Sequence, residues 1–260
     1  MFDENLPLDP NKLALHRPTA LKIAQEIFRR FIAPPEQHYL HVRPKEFRHV
    51  DIGFYNDASR QLNLVGFRHQ VDVEPVHETQ ISGRRSLLRV MISRDNRTSA
   101  SILETGVREP RGFAERWRKL LGRWPKTRQI VELHSVLNDG SFLITDNVGS
   151  THMFREPPKI RRLSLPSYTP LNHLVAAHTD QVKVYIATRQ GVASTSVGTW
   201  EADLRARNDM HNLRVRYRRE IGGIAPDELE KITQDAYPYV RDTVLGELRQ
   251  LIAEHHTPPR

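Results

Sequence analysis

Asn138-Asp139-Gly140 stands between two runs of alternating hydrophobicity, and no other feature of the chain restricts its fold as much. An Asp-Gly pair supplies the positive φ that a tight β-hairpin needs. Before it, Val131, Leu133 and Leu137 alternate with Ile130, Glu132, His134 and Val136 over 128–137. After it, residues 141–146 complete the hairpin. A period of two marks strands with one face turned inward. The same period occurs upstream. Phe67, His69, Val71 and Val73 alternate with Arg68, Gln70, Asp72 and Glu74. Leu88, Val90 and Ile92 alternate with Leu87, Arg89 and Met91 over 86–94, and Asp95-Asn96-Arg97 turns the chain into 98–105. Five sequential strands joined in this way predict an antiparallel β-meander.

Helical signals surround the meander. Pro18 opens a helix to Ile32 with Leu21, Ala24, Ile27, Phe28, Phe31 and Ile32 on one face, and Pro34-Pro35 ends it. Asn56 or Asp57 caps a short helix over 57–65, with Gly66 just past its end. Val50, Ile52 and Phe54 alternate weakly ahead of it. Thr169-Pro170 opens a helix to Thr188, and Thr199 caps another that runs to Ile221 and stops at Gly222-Gly223. Pro226 and Tyr237-Pro238 each start a further helix, the last ending near His256. Segments 36–50 and 147–168 read as irregular, and 189–198 as a polar linker. The expected class is α+β: a meander of about five strands packed by helices, with a helical C-terminal part. The expected division is a polar N-terminal arm at 1–17, an α+β domain at 18–188 and a helical region at 199–256.

The chain has 260 residues and no cysteine, so disulfides, thiolate metal sites and thiol catalysis are excluded. No apolar run approaches the roughly 18 residues of a membrane-spanning helix. The first residues, Met-Phe-Asp-Glu-Asn-Leu-Pro, lack an apolar signal core, which leads us to expect a cytoplasmic protein. The formal net charge is +8, which favours anionic partners.

That charge is concentrated. Residues 111–128 hold seven basic side chains against one acid, Glu115. On a helix, Phe113, Trp117, Leu120, Leu121 and Trp124 fall in an arc of about 100°. Arg116, Lys119 and Arg123 flank the arc on one side, Arg111 and Arg118 on the other. Residues 205–219 hold six arginines and one acid. There Met210, Leu213, Tyr217 and Ile221 form the apolar stripe, with arginines on both sides. The predicted function is a non-enzymatic binding protein engaging an anionic macromolecule, nucleic acid or an acidic protein surface, through these two helices. Its contact residues would be Arg116, Trp117, Lys119, Arg123, Trp124, Arg214 and Arg218. Arginines neutralise phosphates while tryptophan stacks on a base. A peripheral anionic membrane is a further candidate partner.

Two alternatives stand beside this reading. In one, both apolar faces pack on the sheet, and acidic 226–256 pairs with the arginines of the same or a sister chain. Where acidic 226–256 and basic 205–219 pair between chains instead, the protein is a structural subunit of a larger complex, self-association included. In the other, the sheet carries a pocket for a small ligand or substrate, on a face bearing Glu132, His134 and Met91. Glu132 and His134 are the candidate acid–base pair, although the same pair also describes a solvated strand face. No other catalytic residue is proposed. No cofactor is expected: the glycine spacings match neither a P-loop nor a dinucleotide fingerprint. His38, His41 and His49 lie close together, but with no helix to hold them they are not assigned to a metal. His69 and His178 read as core histidines on apolar faces. His77-Glu78-Thr79-Gln80 resembles the His-x-Thr element of two-histidine phosphoesterases. Those enzymes need two copies, and His134-Ser135-Val136 lacks the hydroxyl at its third position.

Overall fold

A computed structural model describes residues 9–83, 85–105, 128–149 and 154–256. It is an α+β structure with two compact units. One draws on Met1–Pro35, His152–Pro157 and His211–Arg260, the other on Glu36–Thr151 and Pro158–Met210. Among the described residues no helix is long and apolar enough to cross a membrane.

The sheet unit is built on a seven-stranded sheet in sequence order. The strands are β1 (Tyr39–His41), β2 (Phe67–Pro75), β3 (Leu88–Ser93), β4 (Ser99–Thr105), β5 (Arg128–Val136), β6 (Phe142–Asp146) and β7 (Ile160–Ser164). Neighbours are antiparallel from β1 to β6. The five expected strands are β2 to β6, and the hairpin at 138–140 joins β5 to β6 with Gly140 at φ +77°. Two edge strands were not expected. β1 has three residues, too few to show a period. β7 pairs parallel to β6 and lies within the segment read as a loop.

One face of the sheet is apolar and lies under α2 (Ile52–Leu64) and α4 (Leu171–Ala187), with the short α3 (Val76–Ser82) after β2. Met91, Ala100, Ile102, Val131 and Leu133 meet Tyr55, Ala58, Leu62, Leu171 and Leu174 in this core. The helix expected at 57–65 therefore begins at Ile52. Asp51 caps it, its carboxylate accepting from the Phe54 amide at 3.1 Å. The apparent alternation at 50–54 belongs to its first turn, because Tyr55, Ala58 and Leu62 are the residues it buries, at helical spacing.

His178 is a core histidine as expected, buried in α4 between the Ser135 and Thr145 hydroxyls, each at 3.0 Å. Burial first, and His134 second, push its pKa down to about 3. His69 differs from expectation. A register shift between His69 and Val71 interrupts β2, and His69 is exposed.

α5 (Trp200–Glu220) gives its first half to the sheet unit and its second half to the helical unit. The Thr199 hydroxyl accepts from the Ala202 amide at 3.3 Å at its start.

The helical unit contains α1 (Pro10–Ile27), α6 (Pro226–Thr233) and α7 (Tyr237–His256). α1 starts at Pro10, so 10–17 is helical rather than part of an arm, and Pro18 lies inside the helix. A π-turn over Phe28–Ile32 extends it. Ala20, Ala24, Ile27 and Ile32 pack with Leu229, Val240, Val244 and Leu248. Gly223, at φ +98°, lets the chain pass this core. A Cβ there would lie 2.9 Å from Ile32 Cδ1 and 3.2 Å from Leu248 Cδ1.

Candidate functional site

The second face of the sheet is charged. Strand pairing sets Ser99 beside His134 and Ser101 beside Glu132 on β4 and β5. It sets Glu132 beside Asp146 on β6, and Ile144 of β6 beside Arg162 of β7. Adjacent partners share a face, so Ser99, Ser101, Glu132, His134, Asp146 and Arg162 all lie on the side opposite Leu133. Met91, expected with Glu132 and His134, is instead in the apolar core on the other side, because Met91 pairs with Ala100 and Ala100 with Leu133.

The first half of α5 covers this face. Trp200, Asp203, Leu204 and Arg207 follow helical spacing. Leu204 is buried with Val71, Val73, Leu88 and Val90, and Tyr39, Leu103 and Trp200 pack against them. Asp203 and Arg207, one turn apart, are ion-paired at 2.8 Å. Arg207 also donates to Nδ1 of His134 at 3.2 Å. A guanidinium has no acceptor, so Nδ1 is the accepting nitrogen and the ring proton sits on Nε2. Nε2 lies 2.9 Å from Asp203 Oδ1, with neither atom in an aligned hydrogen bond.

Burial pushes the Asp203 carboxyl up, but Arg207 and then His134 outweigh it and hold it well below the usual range. Arg207 in turn stays charged in spite of burial, supported by Asp203 and then Glu132. Glu132 lies between two guanidinium groups, Arg162 at 3.0 Å and Arg207 at 3.8 Å. Arg162 is also paired with the buried Asp146.

Two further groups feel the charges of the cluster. Burial pushes the Tyr39 phenol up to about 12, and Arg207 acts against that. Glu78 of α3 is accessible to water, yet protein surrounds it closely enough to raise its carboxyl. Desolvation is the largest cause; the Ser86 hydroxyl opposes it, and the negative charge of Glu132 adds to it. The Ser101 hydroxyl is fully buried and has no hydrogen-bond partner among the described residues.

Of the sequence candidates, Glu132 and His134 are thus brought into one cluster. The structure adds Asp146, Arg162, Asp203 and Arg207, and sets Glu78 within the electrostatic reach of Glu132 and Arg207. A usable sequence signal existed for one pair: Asp203 and Arg207 lie four apart on the turn that carries Leu204. Glu78 sits in a seven-residue helix with no pattern of its own.

The expected contact residues Arg116, Trp117, Lys119, Arg123 and Trp124 lie outside the described residues. Arg214 and Arg218 are in the helical unit, and both are engaged there. Arg214 grips Glu156 with two hydrogen bonds, at 2.7 and 2.8 Å. Arg218 is buried, donating to Glu228 at 2.6 Å and to the Arg155 carbonyl at 2.6 Å. Arg207 and Arg218 are more buried than Leu213 and Tyr217 of the expected apolar stripe. Of the expected stripe, Met210 is buried and Leu213, Tyr217 and Ile221 are half-buried, while Arg207 and Arg218 are neutralised inside the protein. Among the described residues, no three His, Asp or Glu side chains are placed to hold a metal ion. The His-x-Thr element lies in α3, and the Thr79 hydroxyl donates to Glu74 at 3.2 Å.

No protein-family model matches the chain, and neither a curated protein nor a solved structure is detectably similar to it.

Proposed function

We propose that the sheet unit is an acid–base enzyme, with its site on the charged face beneath α5. The observation that carries this reading is a pair of carboxylates in opposed surroundings. Glu132 is flanked by Arg162 and Arg207, whereas Glu78 feels desolvation and the negative charge of Glu132. Two carboxyl groups in such different surroundings can divide the roles of acid and base between them. Glu78, accessible to water, is the general acid that protonates a leaving oxygen. Glu132, held by two guanidiniums, is the base that takes a proton from water. The reaction class is hydrolysis of a polar substrate. His134 has both ring nitrogens turned to α5 residues, so it is a positioning residue that fixes Arg207 and Asp203 over Glu132.

Binding of an anionic macromolecule has less support: Arg214 and Arg218 are occupied by Glu156 and Glu228.

The test combines titration and turnover on the full chain. Carbon-detected NMR of labelled glutamates should show Glu78 titrating above the ordinary glutamate value of 4.5 and moving down in Glu132→Gln. Chromogenic glycosides, esters and phosphate esters then serve as substrates. Turnover of any of them should fall by about 10²- to 10⁴-fold in Glu78→Gln and in Glu132→Gln. An ordinary Glu78 titration unaffected by Glu132→Gln would overturn the assignment, as would turnover that survives both changes.

A further inference from the structure

On the apolar side of the sheet, the starts of α2 and α4 leave a cavity of about 670 Å³. That is the size of a pocket for a small organic ligand, typically about 300–1,000 Å³. Val131, a core residue of β5, lines it together with Asp57, Gln61, Gln129, Asn147 and Tyr168. The chemistry of this lining differs from that of the charged face. Among the described residues it contains two carboxylates, Asp51 and Asp57, and no basic side chain. Both carboxylates are already engaged. Asp51 accepts from the Phe54 amide at 3.1 Å and from the Gln129 side chain at 3.1 Å. Asp57 pairs with Arg60 at 2.7 Å. An anion would be repelled here, and a cation would have to displace partners already in place.

The side chains left for a ligand are neutral. Gln61, Ser167, Tyr168 and Thr169 line the cavity and make no side-chain hydrogen bond among the described residues. Tyr168 is 85 % exposed, although a tyrosine ring ordinarily gains by covering its apolar faces. It lies in a turn closed by the Thr169 amide and the Pro166 carbonyl at 2.9 Å, with Pro170 following. Two prolines stiffen the segment that presents the ring, so little conformational freedom remains to be lost when something covers it. An amide, hydroxyls and an open aromatic face match a molecule with many hydroxyls and an apolar ring face.

The geometry points to a second binding site in this cavity, one that takes a small, uncharged, hydroxyl-rich molecule of saccharide size. It does not depend on the acid–base reading of the opposite face, and it would stand if that reading failed. The test uses the full chain, with glucose, maltose and inositol as neutral probes and glucose 6-phosphate and ethanolamine as charged ones. Saturation-transfer NMR and calorimetry read binding. At least one neutral probe should bind, and Tyr168→Ala and Gln61→Ala together should weaken it by about tenfold. Both residues are exposed, so these changes leave the fold intact. The inference is overturned if no neutral probe binds, if a charged probe binds more tightly, or if the double variant binds like the unaltered chain.

Discussion

Replacing Asp203 by alanine tests whether the charged face is held as a network. Its side chain is fully buried and that of Arg207 is 9 % exposed. Without Asp203, the Arg207 guanidinium keeps the neutral acceptor His134 Nδ1 and, among the described carboxylates, only the more distant Glu132 at 3.8 Å, which Arg162 already holds at 3.0 Å. His134 Nε2 loses its 2.9 Å neighbour as well. Removing one partner of a buried ion pair costs about 3–5 kcal/mol, because the other charge is left uncompensated. With a urea m-value of about 3 kcal/mol/M, the unfolding midpoint falls by roughly 1–1.7 M. The double change Asp203→Leu with Arg207→Leu removes both charges and leaves a stranded imidazole, at a cost of about 1–3 kcal/mol. The double variant should therefore be more stable than the single one, an order that only a coupled pair produces. Urea unfolding followed by circular dichroism measures both. An Asp203→Ala cost below about 1 kcal/mol, or a double variant weaker than the single, would refute the network.

His178 and Gly223 give two independent checks. Burial places the folded-state pKa of His178 at about 3, below the ordinary value of 6.5, so the unfolded chain binds a proton that the folded one excludes. Its contribution to stability is complete above pH 6.5 and declines as pH falls towards 3, by about one proton per unfolding event. His178→Gln should flatten that slope in urea titrations at several pH values; an unchanged slope would show that His178 is not the group responsible. In the helical unit, Gly223→Ala adds a methyl 2.9 Å from Ile32 Cδ1 at a φ of +98°. Strain and overpacking together should cost about 2–4 kcal/mol in the same assay, and a loss under about 0.5 kcal/mol would mean that the turn relaxes freely.

How much of this was readable beforehand follows from the range of the interactions involved. The β5–β6 hairpin depends on residues next to one another, and Asp-Gly between alternating strands announces it. Most helix starts are equally local, as at Thr199 and Pro226. β7 could not be read this way: Arg161 and Arg162 interrupt its apolar character, and its partner β6 is reached only through a parallel connection. The site was legible in part. Glu132 and His134 share a strand face by simple alternation, but what they face comes from Asp203 and Arg207, about seventy residues later. Hydropathy also misplaced these arginines. It treats arginine as outward-facing, a rule that fails once a buried carboxylate meets the guanidinium.

That failure changes what the positive charge means. From sequence, the six arginines of 205–219 suggested a cationic surface awaiting an anion. In the fold, Arg207 is neutralised by Asp203, Arg214 by Glu156 and Arg218 by Glu228, while Arg219 donates to the Ile32 carbonyl at 2.8 and 3.0 Å. Of these six arginines only Arg205 and Arg216 are exposed. Long-range attraction depends on charge that solvent and partners can feel, and a guanidinium locked to a buried carboxylate contributes little to it. The arginines of α5 therefore act chiefly inside the protein. In the sheet unit Arg207 lies against Glu132 and His134, at 3.8 and 3.2 Å. In the helical unit Arg214 and Arg218 tie Glu156 and Glu228 to the helix. An arginine-rich helix with so few free cations orients carboxylates, which is what the acid–base chemistry proposed for the sheet face would require.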